Sequence, residues 1–167
     1  MKMLKYLTDI HKLLAKDENL LRLLYYKPKS FDDDPLSPLK PNIIGSDKEK
    51  SIVASSIVRS HKTTDLSLDN KICRLCVYPG QRDNKAYKTS RLAADQDIVI
   101  DIYANIEAFD NIDFRLAKIC DYVDERFFDQ PITGIGKMDF QAGRLINTSP
   151  EGHFGYRLFY SFTSMKG

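Results

Sequence analysis

Tryptophan is absent from this chain, and cysteine, proline and glycine are sparse, at three, seven and eight of 167 residues. Three cysteines do not make a disulfide framework. Their scarcity predicts a reduced protein made in the cytoplasm. A large excess of one charge sign is missing too: 25 basic and 23 acidic side chains leave a net charge of +2. That balance gives no global drive toward nucleic acid. No apolar run approaches the ~20 residues that span a bilayer. The start, MKMLKYLTDI, lacks the continuous apolar stretch of a signal peptide. What is present is an ordinary globular mixture, 43% apolar and 29% charged, of a length that suits one domain with a real core.

The motifs of chemistry are also lacking. In PITGIGKMDF, residues 131–140, a Gly-Lys pair follows a second glycine. A phosphate loop needs a glycine where Pro131 stands and a hydroxyl where Met138 stands. The dinucleotide pattern fails at Asp139. The stretch reads instead as a strand carrying Met138 and Phe140. A hairpin loop at Gln141-Ala142-Gly143 and a return strand Arg144-Leu145-Ile146-Asn147 follow. Cys73 and Cys76 form the one Cys-x-x-Cys pair, but on a strand residues three apart face opposite sides, so neither zinc nor redox chemistry follows. His11, His61 and His153 are scattered, and His153, after Gly152, reads as an exposed loop residue. Asp97 and Asp101 share a strand face about 13 Å apart, too far for a carboxylate dyad. No catalytic, cofactor-binding or metal residue is assigned, and an enzyme is not expected.

Periodicity supplies the elements. Met3, Leu7, Ile10 and Leu14 predict a helix over 3–15, and Asp17 caps a second helix holding Leu20, Leu21 and Leu24. Ser46-Asp47-Lys48-Glu49 has the form of a capping box for a helix over 46–61. Strands are expected at 71–78, ended by Pro79-Gly80, at 97–105 and at 154–163. Between the last two lies a helix over 111–128 with Ile112, Leu116, Cys120, Val123 and Phe127 in one stripe. The order predicts an α+β fold: a mostly antiparallel four- to five-stranded sheet packed against one main helix, with N-terminal helices in front.

Two segments fit no element. Residues 27–45 hold four of the prolines beside Asp32-Asp33-Asp34 and read as an extended arm, with Phe31, Leu36 and Leu39 as apolar anchors. Residues 81–96 read as a long polar loop carrying Arg82, Lys85, Lys88 and Arg91 around Tyr87. Both are expected to protrude. A partner covering them would explain their retention, since ordering a segment costs entropy.

The whole chain resembles the tail-terminator and head–tail joining (neck) proteins of tailed bacteriophages. The stretches that carry the resemblance are LKYLTDIHKLLAKDENLLRLL, KICRLCVYPGQR, DQDIVIDIYAN, FRLAKICDYVDERFF, and GIGKMDFQAGRLI followed by GYRLFYSF. The resemblance implies a virion protein: a subunit of a hexameric ring that caps the tail tube and docks the tail onto the head connector. DNA would pass through the lumen, touching the ring transiently and without sequence preference, and no membrane, cofactor or catalytic residue is implied. A head–tail adaptor elsewhere in the neck, a small nucleic-acid-binding module using the 81–96 loop, and a small hydrolase remain as rival readings.

Overall fold

Apolar spacing winds the first segment into α1 (Met3–Ala15), with Tyr6, Ile10 and Leu14 turned inward and Leu7 beside them. The computed structural model describes residues 2–83 and 93–165. Asp17 caps α2 (Glu18–Tyr25) as expected, its carboxylate accepting from the Leu20 amide at 3.1 Å. The same carboxylate accepts from Tyr122 Oη at 2.6 Å and pairs with Arg126 at 2.8 Å, so one acid caps a helix and ties it to a distant one.

Residues 27–45 do not stand away from the body. Leu20 to Leu24 of α2 are all buried, including Arg22, because the segment folds over that helix. Arg22 donates to the Ser37 and Lys40 carbonyls at 2.8 and 3.0 Å and to Asn42 Oδ1 at 2.5 Å. Glu18 accepts from the Ile43 and Ile44 amides at 2.7 and 2.8 Å, and Ile43 enters the core. These charge-assisted bonds offset the ordering entropy that had argued for a free arm.

The expected helix over 46–61 is shorter. α3 spans Glu49–Ser56, and Ile57–Val58 become β1, pairing in parallel with Leu75 and Cys76. Ser46 does not cap it; its hydroxyl donates to the Ile43 carbonyl. The consecutive β-branched pair leaves the helix as soon as a strand edge is within reach. Neither does Pro79-Gly80 stop β2 (Cys73–Asp83). The register shifts between Pro79 and Arg82, a bulge that tolerates proline. A Cβ on Gly80 would lie 2.9 Å from Asp97 Cβ, so glycine lets the strands close there.

β3 (Ala93–Asn105) runs between β2 and β5 (His153–Met165), antiparallel to both. Among the described residues the sheet has five strands in the order β1-β2-β3-β5-β4, with β4 at Ile135–Leu145, antiparallel except at β1. The expected α+β fold class is therefore present. β4 (Ile135–Leu145) is a single edge strand, not a hairpin. Two register shifts, one at Phe140/Ala142, account for the stretch that reads as a turn in sequence, and the chain reverses only after Leu145.

The main helix starts late. A π-helical turn (Ile106–Asp110) and a short turn, α4 (Asn111–Asp113), precede Phe114, whose φ of 54° breaks the helix before α5 (Arg115–Phe127). The break sits between Asp113 and Arg115, both fully buried and paired at 2.8 Å. Arg115 also donates to the Leu23 and Tyr26 carbonyls at 2.6 and 2.7 Å, satisfying the exit of α2. Leu116, Ile119, Val123 and Phe127 of α5 meet Ile98, Ile100, Ile102, Leu158 and Tyr160 in one core, while Cys120 and Ile112 are only half-buried.

Candidate functional site

The expected anchors of the 27–45 segment divide. Leu39 and Phe31 are 93% and 61% exposed, but Leu36 is half-buried against the core. Phe31 stacks edge-on with Phe114 at 6.3 Å between ring centres, and Lys118 Nζ lies 6.0 Å from its ring. Phe114 is itself 68% exposed. Two aromatic rings thus meet in solvent at the site of the helix break, a pairing that periodicity does not reveal.

Of the basic loop, Arg82 lies in β2, half-buried and opposite Gln96. The ladder therefore reaches into both ends of the stretch read as loop. Lys85, Lys88 and Arg91 lie outside the described residues.

The far face of the sheet carries a polar cluster that the sequence reading missed. Asp101, fully buried, accepts from Arg157 Nε and Nη2 at 2.6 and 2.8 Å and from Tyr78 Oη at 2.7 Å. His61 Nε2 stands 3.4 Å from the same carboxylate and 3.0 Å from Tyr103 Oη. Burial and the adjacent Asp101 charge push the Tyr103 phenol up to about 12, and Tyr78 is raised for the same reasons with its hydrogen bond to Asp101 added. The hydrogen bond to Asp101 is the main cause that raises Arg157. One signal was legible: an acid inside the apolar run DIVIDIYA must find partners if buried, and Arg157 sits on an alternating strand.

This cluster joins β2, β3, β5 and the 59–72 segment, and Leu66, Cys76 and Tyr103 make a small apolar patch beside it. Its geometry is that of a clamp. The nearby thiol of Cys76 is pushed up to about 11 by burial, so little thiolate exists there at neutral pH. Cys73 lies on the opposite face, in the main core, with its thiol raised to about 12. His153, expected in an exposed loop, is buried at the start of β5, its Nδ1 3.1 Å from the Glu151 carbonyl. Burial and the Arg59 charge lower His11. Among the described residues no group of three His, Cys, Asp or Glu side chains is placed to hold a metal ion.

Residues 17–162 match the YomW family. The chain is 33% identical, over 96% of its own length and 96% of the relative's, to the SPbeta prophage-derived uncharacterized protein YomW of Bacillus subtilis (strain 168). A prophage-derived relative of this extent supports a phage origin. Matched over most of its length in both comparisons, the chain belongs to the YomW family.

Proposed function

We propose that this chain is a structural subunit of the head–tail junction of a tailed phage, a tail terminator or neck component that acts as a ring. The observation that carries the phage part of the reading is the prophage-derived relative aligned over 96% of the chain, and the place at the junction rests on the resemblance alone. The α+β fold and the resemblance of its strands and main helix to tail-terminator and neck proteins agree with it.

In this reading the protein is not an enzyme and needs no cofactor. It is made in the host cytoplasm and ends in the virion. Copies of the chain close a hexamer that caps the tail tube and receives the head connector, with DNA passing through the lumen. Phe31 and Leu39 belong to subunit or partner contacts. Arg82, Lys85, Lys88 and Arg91 are assigned to a subunit contact or to a diffuse, sequence-blind charge for passing DNA.

Deletion of the gene from its prophage, followed by induction and electron microscopy, tests the proposal. Filled heads and unjoined tails are expected. Tails of irregular length would identify a terminator, and tails of normal length an adaptor elsewhere in the neck. Complete, infectious particles without the protein would overturn it.

A further inference from the structure

Two unlike patches lie on different elements of the chain. The first is a cleft of ≈ 600 Å³ between α1, α3 and β1, lined in part by Lys16, Glu49, Lys50, Val53 and Arg59. A second hollow of ≈ 410 Å³ shares His11 and Arg59 with it and adds Lys12, Leu4 and Leu7. Together the two hollows are lined by four cations, Lys12, Lys16, Lys50 and Arg59, and by one carboxylate, Glu49, which is already paired with Lys16 at 3.0 Å. Leu4, on this surface, is 80% exposed.

The second patch is a hollow of ≈ 310 Å³ between the 27–45 segment and α5. Asp34, Asp121 and Glu125 line it against one cation, Lys118, which lies 3.4 Å from the buried Asp113 carboxylate. The exposed Phe31 lies under the Lys118 ammonium and meets the exposed Phe114 edge-on, and Asp32 extends the acidic run. One surface is basic with apolar side chains, and the other is acidic with aromatic ones.

We propose that the acidic hollow of one copy docks into the basic cleft of the next, and that this is the head-to-tail contact of the ring. The inference rests on the ring reading above and names its two surfaces. Like patches would repel in a two-fold pairing, whereas unlike patches join heterologously and close a ring when the rotation allows. Charge sets orientation and encounter rate, and burial of Phe31, Phe114, Leu4 and Leu7 supplies the apolar centre of the contact.

Charge exchange tests the pairing on the full chain. One variant carries Lys12→Glu and Arg59→Glu and so has two acidic surfaces. Another carries Asp121→Lys and Glu125→Lys and so has two basic ones. All four positions are exposed, and circular dichroism checks that the variants fold. In sedimentation at low salt, up to millimolar protein, the intact chain is expected to associate. Each variant alone should associate at least about tenfold more weakly, and the equimolar mixture should recover, because every contact in an alternating ring is again complementary. An intact chain that stays monomeric, a variant that associates like the intact chain, or a mixture that does not recover overturns the pairing. So does a cleft variant that loses affinity for a DNA duplex while associating normally, which would make the cleft a phosphate-binding surface. If the pairing falls while the protein is still required to join heads to tails, the functional proposal stands and only these surfaces are wrong.

Discussion

On the helix side of the sheet, Ile98, Ile100, Ile102 and Leu158 meet the apolar side chains of α1, α2 and α5, and Phe109, Phe127 and Tyr160 are fully buried rings there. On the far side, alternating positions of the same strands carry Tyr78, Asp101, Tyr103 and Arg157. The 59–72 segment covers part of that face, while Phe159 and Arg144 stay half-buried and exposed beside each other, the guanidinium 5.5 Å from the ring. The contrast teaches how the chain divides its work. One face is sealed by non-directional burial, which tolerates small shifts in packing. The other is fixed by directional bonds to a single carboxylate, which hold three strands in register but offer little apolar area.

The comparison breaks most visibly on the helix side. Leu116→Ala should cost about 2–5 kcal/mol of unfolding free energy, the usual range for a buried large-to-small change. Denaturant titration reads it, and a loss under ~0.5 kcal/mol would show that α5 does not seal this face. On the far side Asp101→Asn should cost less, about 1–3 kcal/mol, because Arg157 keeps some solvent when its partner weakens. A cost larger than that of Leu116→Ala would reverse the ranking of the two faces.

The smallest effect sharpens the far side further. Arg74, buried, forks onto Asp65 of the covering segment, and this pairing holds the Asp65 carboxyl down at about 2, below its ordinary 3.8. A depressed carboxylate stabilises the fold above its unfolded pKa and loses that contribution as pH falls through the folded one. The Asp65 side chain is 41% exposed, so solvent screening limits its worth to under about 1 kcal/mol. Asp65→Asn should therefore destabilise slightly at pH 7, and the difference from the intact chain should shrink between about pH 4 and pH 2. A difference that stays constant across that range would mean that the ion pair does not fasten the segment.

Much of the helix side was legible from period alone. Ile98, Ile100 and Ile102 alternate, and Leu116, Val123 and Phe127 recur at helical spacing, so sheet and main helix follow from one rule each. Elements shaped by long-range partners were not legible. Residues 27–45 carry prolines that signal an irregular path, but nothing local says that Arg22 and Glu18 will gather their backbone groups. Gln141-Ala142-Gly143 has the composition of a turn, yet pairing with β5 keeps it in a bulged strand. Ile57 leaves its helix for an edge that sequence cannot see. The exposed ring pair has the same origin, since Phe31 meets Phe114 only because the segment folds back and the helix breaks. The basic cleft draws on three elements and appears in no single stretch of sequence.

The central claim is a place in the particle, and labelling tests it most directly. Purified virions of the phage that encodes this chain, decorated with gold-labelled antibody against it, are viewed by electron microscopy. The account expects label confined to the junction between head and tail. Label along the tail, at its distal tip, or absent from virions would contradict it.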